Sequence, residues 1–273
     1  FGFGASVIGT LILSLQQCFG LPAAFFVVGA AACLVQAAGI YVFAQNYSSE
    51  NPAQENVCCM VEKDRKYQIN DTWRMLRSAT FWFYFVWAVF LSSVALFVIS
   101  NCADITGVLH TGLGTITVGA ALISGFNGVG RVLFGILFDR LKENKTFTII
   151  NVGFFIGSIG LWCAMQMNSL AVLMSGYGVI GLCYGGVLIC NSAYIRMAFG
   201  SQRFALHFSI INMSTLIAAF LGPFLINPML KKGGVPAAFF MIILTIIAFG
   251  VLFGLNKSSG FTCGKDLEKG CSL

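Results

Sequence analysis

Apolar runs long enough to cross a bilayer follow one another along this chain, and that succession constrains its fold more than any other feature. In lipid a segment must satisfy its own backbone hydrogen bonds, so each run is expected as a helix of roughly 20 residues across a hydrocarbon layer of ~30 Å. Eight runs qualify: Phe1–Phe19, Leu21–Ala44, Thr80–Ser100, Thr117–Phe138, Thr146–Met167, Ala171–Met197, Phe204–Leu225 and Val235–Leu255. Hydrophobic residues make up 58% of the chain and charged ones 10%, against about 25% charged in soluble domains. A single protein core cannot absorb that much apolar surface, whereas lipid can. The expected class is therefore all-α membrane, a polytopic helical bundle.

The one long polar segment, residues 45–79, holds Lys63, Arg65, Lys66, Arg74 and Arg77 and separates two spans from six. Basic loops stay on the cytoplasmic side. With 45–79 placed inside, the inner set also takes in Arg140, Lys145, Arg196, Arg203 and Lys257, and the outer loops keep only Lys231 and Lys232. This orientation puts the 256–273 tail in the cytoplasm. The net charge of +6 then reads as anchoring to anionic lipid rather than as a nucleic-acid surface. A plasma membrane is expected rather than an organelle. Phe1 lies inside an apolar run with no Met and no basic flank, so the chain is expected to be a fragment.

Arg131 is the charge that stands out, because it falls in the middle of the run 117–138. A guanidinium cannot lose its proton and costs at least ~2.5–3.5 kcal/mol at the centre of a membrane helix, so it calls for an anion or a wet cavity. Asn127, Arg131 and Gly135 are spaced by four and share a helix face. Asn127 could therefore hydrogen-bond the guanidinium or a cargo, and Gly135 would let a neighbouring helix approach. A purely structural arginine, tied to helix carbonyls or to an acid on another span, is the alternative.

These residues also carry a resemblance. Gly135-x-x-x-Asp139-Arg140 between two spans resembles the inter-helix signature of the major facilitator superfamily. Asn127-x-x-Gly-Arg131 is similar to the matching helix of its oxalate/formate antiporter-like and monocarboxylate porter branches. The stretch from Trp73 to Trp82 and Leu221-Gly222-Pro223 are further points of similarity. The resemblance implies eight of twelve spans. Residues 1–44 would be the last two of an N-terminal bundle, 45–79 a cytoplasmic central loop, and 80–255 a six-span C-terminal bundle. It further implies rocker-switch transport of a small organic anion, with Arg131 coordinating substrate and Gly135, Asp139 and Arg140 acting as a conformational motif. Three departures stand out. Thr215 occupies the place of a second cation in the antiporters, which argues against two-point capture of a dicarboxylate. Asn127 replaces the Asp of proton-linked monocarboxylate porters, and Lys142 replaces a usual Gly.

Tyr184, Asn191 and Thr215 are added as candidate lining residues, although isolated polar groups in bundles often serve to bridge helices. All ten acids are expected in loops or tails, so a coupling acid is expected in the missing spans, and the coupling ion stays open. His207 reads as a packed neutral ring. The glycines from Gly176 to Gly186 read as a close-packing surface. The cysteines show no metal spacing, and no cofactor or enzymatic centre is expected, since no span offers several ionisable groups at one depth. Partners are a small solute and the bilayer. Cys58, Cys59, Cys263 and Cys271 are possible palmitoylation sites, and glycosylation patterns at Asn46, Asn70 and Asn256 fall on the expected inner side.

Overall fold

The computed structural model describes residues 20–47, 72–109, 112–200 and 203–259, and among them the only regular structure is helical. The elements are α1 (Leu21–Tyr47), α2 (Ala79–Ser100), α3 (Cys102–Gly107), α4 (Leu113–Met167), α5 (Leu170–Phe199), α6 (Phe204–Leu230) and α7 (Gly234–Ser259). Six segments are long and apolar enough to cross a membrane: α2, Gly114–Leu141 and Glu143–Met167 within α4, α5, α6, and Gly234–Leu255 of α7. Large apolar side chains stay open on their outer faces, including Val132 (66%), Phe220 (71%), Phe224 (78%) and Phe253 (74%). Exposure on that scale marks a surface meant for lipid. The chain is thus an all-helical, multi-pass membrane bundle. The expected span Phe1–Phe19 and the candidate modification sites Cys58, Cys59, Asn70, Cys263 and Cys271 lie outside the described residues.

The chain divides into two compact units between Trp73 and Arg74. In the first, α1 leaves its described side chains open, Leu34 and Tyr41 among them. The second unit contains all six spanning segments. Its first residues belong to a helical turn over 72–77, inside the stretch 45–79 expected as the central loop. The Trp82 indole donates to the Leu76 carbonyl at 2.7 Å and fixes this turn to the start of α2.

A straight α4 of 55 residues would be ~80 Å long, yet both of its ends meet the same part of α5. Gly119 lies against the Tyr177 ring, and Gly160 lies against Gly176. Further along, Phe134 and Ile150 both close on Gly186. The helix therefore doubles back near residue 142 into two antiparallel arms, Gly114–Leu141 and Glu143–Met167, packed side by side on α5. The sequence places a loop here; instead helical backbone runs through the reversal, and Glu143 opens the second arm. Asn168, with φ 50°, ends α4 in the left-handed conformation that lets the backbone leave a helix. The structure also carries α6 past the expected end at Leu225 to Leu230, with Pro223 and Pro228 inside it. Membrane helices accommodate such prolines when neighbouring groups satisfy the freed carbonyls.

α2 packs on α6, α7 and α5, and the second arm of α4 reaches α7 through Asn151. The core between them is aromatic: Phe81, Tyr84, Trp87, Phe97, Phe147, Phe154 and Tyr177 are all fully buried. Burying a large side chain is worth ~1.5–3 kcal/mol in water, but lipid is as apolar as the core. Close packing and hydrogen bonding between the helices must therefore carry the specificity of this bundle.

Candidate functional site

The first arm of α4 meets α5 backbone to backbone. A Cβ at Gly185 would strike the carbonyl of Asn127 and the backbone nitrogen of Arg131, and one at Gly130 would strike the Leu182 carbonyl. Only glycine at these positions allows so close an approach. The contact fixes the base of Arg131 at the α4–α5 seam, ten residues from Leu141 at the end of the arm, which is ~15 Å along the helix and close to mid-depth. Arg131 is half-buried and already interacts with neighbouring protein groups. Tyr184, one residue before Gly185 and 5% exposed, lies within the field of its charge.

The sequence suggests that Asn127 could hydrogen-bond the guanidinium, and the structure corrects this. A guanidinium only donates, so the bond would need Asn127 Oδ1, and that atom is buried without a hydrogen-bond partner. Asn127 thus shares the face of Arg131 without being spent on it.

Other unsatisfied atoms fall at two depths, one level with Arg131 and one about two helical turns nearer Arg196. Tyr84 on α2 donates to Asn191 Oδ1 on α5 at 2.9 Å, which sets the two antiparallel helices in register. Counting on from that bond, Ser92 lies eight residues beyond Tyr84 and Tyr184 seven before Asn191, steps of ~12 and ~10.5 Å that bring both to one level. The Phe199 and His207 rings, 6.1 Å apart across the α5–α6 turn, set the next register. Thr215 lies eight residues after His207 and Asn191 eight before Phe199, so these two also share a level. Ser92 Oγ, Asn191 Nδ2, Ser214 Oγ and Thr215 Oγ1 are all buried and lack hydrogen-bond partners. Each such group costs ~1–3 kcal/mol if it stays dry and unpaired. Such groups level with a cation, and in a second polar layer about two turns away, suit a wetted or ligand-visited interior.

The end of the bundle near Arg196 contrasts with this layer. Tyr84 and Tyr194 stack with ring centroids 4.1 Å apart, and Phe147 packs on Tyr84 and Trp87 at 5.2 and 5.1 Å. The Trp87 indole donates to Asn151 Oδ1 at 3.1 Å, and the Asn151 amide donates to the Thr245 carbonyl at 3.2 Å, tying α2, α4 and α7 together. Sequence reasoning misses this network, because a Trp and an Asn deep in apolar runs carry no spacing signal. At the opposite end the Tyr177 hydroxyl lies 3.0 Å from the Thr106 hydroxyl and donates to the Cys102 carbonyl at 3.3 Å, which pins α3 to α5.

The expected conformational motif is divided by the fold. Gly135 sits beside Ile189 on the α5 seam, whereas Asp139 and Arg140 are exposed at the end of the arm. Asp139 does border a groove of about 890 Å³ between α4, α5 and the start of α6, together with Glu143 and Arg196. Glu143 corrects the expectation that every acid lies in a loop or tail, since it is half-buried in helix.

Of the residues singled out from sequence, Asn127, Arg131 and Tyr184 are brought together at the seam. Asn191 is held by Tyr84 instead, and Thr215 makes no hydrogen bond to any of them through its hydroxyl. His207 is buried with its ring against Phe199, as a packed ring would be. No protein-family model matches the chain, and no curated protein matches it.

Proposed function

We propose that this chain belongs to a secondary transporter that moves a small organic anion, a carboxylate, across a membrane by alternating access. One observation carries the reading: an arginine near the middle of its span has buried amides and hydroxyls with unfilled hydrogen bonds at its own level, Asn127 and Ser92, and about two helical turns away, Asn191, Ser214 and Thr215. Arg131 supplies the bidentate counter-charge to a carboxylate, a geometry its planar fork favours over an ammonium. Asn127 and Tyr184 flank it, and Asn191 and Thr215 extend the path by about two helical turns. The resemblance to major facilitator porters supports the rocking of one bundle against another and a cytoplasmic position for the basic end. A set of amides, hydroxyls and one cation can bind and release a solute but contains no nucleophile paired with a base, so the reading is a carrier and not an enzyme.

A second reading has one observation in its favour. Arg131 already interacts within the protein, which suits a structural post in a porter for a neutral or cationic solute, or a receptor that binds without transport. A solute panel separates the readings. Full-length protein in proteoliposomes is given labelled formate, lactate, oxalate, glucose and tetraethylammonium. The proposal expects uptake of a carboxylate above protein-free vesicles and none of glucose or the cation. Uptake of glucose or tetraethylammonium alone would overturn the substrate class, and binding without uptake of any solute would favour the receptor.

A further inference from the structure

The groove at the basic end contains a group that the transport reading leaves unused. Glu143 opens the second arm of α4, half-buried, and lines the groove with Phe138, Asp139, Ile189, Ser192 and Arg196. Behind it stands Tyr194, 3% exposed, whose hydroxyl is buried without a hydrogen-bond partner and lies within electrostatic reach of Glu143. Tyr194 stacks on Tyr84, and Tyr84 holds Asn191 in the polar layer. A carboxyl at the rim and an unfilled phenol behind it are thus the first two members of a contact chain running from groove to layer.

We propose that Glu143 is a protonation switch for this groove: as a neutral acid it turns inward and hydrogen-bonds the Tyr194 hydroxyl, and as a carboxylate it stays in the groove. The proton comes from water in the groove and returns to it, and no other bond changes. Two physical effects separate the states. A carboxylate is too costly to carry toward the aromatic core, while a neutral carboxyl with a waiting partner is not. The remaining charges bias the balance. Asp139, one turn back, disfavours a second negative charge, and Arg196 across the groove favours it. Arg140 and Lys145 are exposed on the same turn of α4. From α6 the groove receives Phe204, with Arg203 just before it. His207 lies behind the Phe199 ring, and α2 contributes Tyr84 behind Tyr194. The inward bond draws the turn of α4 that carries Glu143 toward α5 and narrows the groove over Ser192; this would make the cytoplasmic side of the proposed carrier sensitive to pH, a consequence that rests on the transport reading, whereas the switch itself does not.

The test needs no solute. Ser192→Cys reports from within the groove, and Asn144→Cys, at an exposed position on the same turn of the bundle, serves as the reference. Both are introduced into detergent-solubilised full-length protein and treated with dithiodipyridine, which reacts with thiols even in acid; modification is read by peptide-resolved mass spectrometry. The ratio of groove to reference labelling is expected to fall at least about threefold from about pH 8 to about pH 4, a range that brackets the titration of a carboxyl. Glu143→Gln should show the low ratio at every pH. Tyr194→Phe, which keeps the ring and loses only the hydroxyl, should keep the high ratio in acid. A flat ratio in the parent, a parent-like profile in Glu143→Gln, or a parent-like profile in Tyr194→Phe would each overturn the proposal. If the switch appears but no solute is carried in the panel above, the transport reading fails and the switch stands.

Discussion

The two arms of α4 pack on different faces of α5, the first on that of Gly178, Gly181 and Gly185 and the second on that of Gly176, Ile180 and Cys183, and they are held by different means. The first arm, Gly114–Leu141, has 22% of its most apolar window buried and the second, Glu143–Met167, has 44%. The first touches α5 through backbone across Gly130, Gly181 and Gly185, with Val129, Val132 and Ile136 open on its far side. The second also meets α5 through glycines, with Gly157 and Gly160 against Gly176, but it adds large side chains elsewhere: Phe147 and Phe154 are fully buried and Asn151 is bonded to both α2 and α7. A smooth seam resists sliding less than an interdigitated one, because few side chains must change rotamer as it shifts. The arm with the smooth seam is also the one that carries Arg131. The difference teaches that in this bundle the anchoring and the polar chemistry are assigned to separate halves of one helix.

Substitutions that attack each seam should have unlike consequences. Gly185→Leu forces a side chain into the Asn127 carbonyl and should cost the most: overpacking by one or two methylenes is worth ~1–3 kcal/mol, and here the obstacle is backbone. Thermal unfolding in detergent checks this, and an unchanged midpoint would mean that the first arm is not held by close approach. Trp87→Phe leaves the Asn151 Oδ1 buried and unpaired, so a loss of ~1–3 kcal/mol is expected by the same measurement. Transport per folded molecule should stay within about twofold, a change of under ~0.5 kcal/mol in activation free energy. Asn127→Leu is expected to do the reverse. It removes an acceptor that has no partner and installs a better helix former, so stability should hold or rise by up to ~1 kcal/mol while transport falls. A stability loss there would place Asn127 with the anchors.

The smallest effect concerns the pinned end of α5. Burial pushes the Cys102 thiol above its ordinary value, with the neighbouring Tyr177 and Thr106 hydroxyls pulling partly the other way. A raised thiol pKa means less thiolate at neutral pH, so alkylation should lag and should recover only as pH climbs past the ordinary thiol range. Against an introduced Asp104→Cys, exposed on the same short helix, Cys102 should react more slowly at pH 7, because burial both shields the thiol and disfavours its thiolate. Equal rates would show that α3 is not held against Tyr177.

Much of this architecture was legible in the apolar runs. The starts and ends of α2, α5 and the second arm of α4 fall within a few residues of the expected spans, because lipid imposes length and composition directly on the chain. The close-packing use of Gly181 and Gly185 was legible too, since small residues at helical spacing have few other purposes in such helices. What could not be read was pairing across helices. Nothing in the order of residues says that Trp87 meets Asn151, that Tyr84 donates to Asn191 Oδ1, or that Asn127 Oδ1 stays unfilled beside Arg131. Glu143 was misplaced for a local reason. A run of charges from Asp139 to Lys145 reads as a loop, but five charged residues can cap and continue helix as readily as they can break it.

The central claim is that Arg131 meets a visiting anion at mid-depth, and substitution at that residue in proteoliposomes tests it most directly. Arg131→Gln keeps a polar, hydrogen-bonding side chain but removes the charge and the guanidinium fork, so carboxylate uptake should fall by at least about a hundredfold, equivalent to ~2.7 kcal/mol of lost charge-assisted binding. Arg131→Lys should retain part of the flux with altered preference among carboxylates, because an ammonium cannot offer two parallel donors. Wild-type flux in Arg131→Gln, from protein that folds as well as the parent, would contradict the account and leave Arg131 as a structural post.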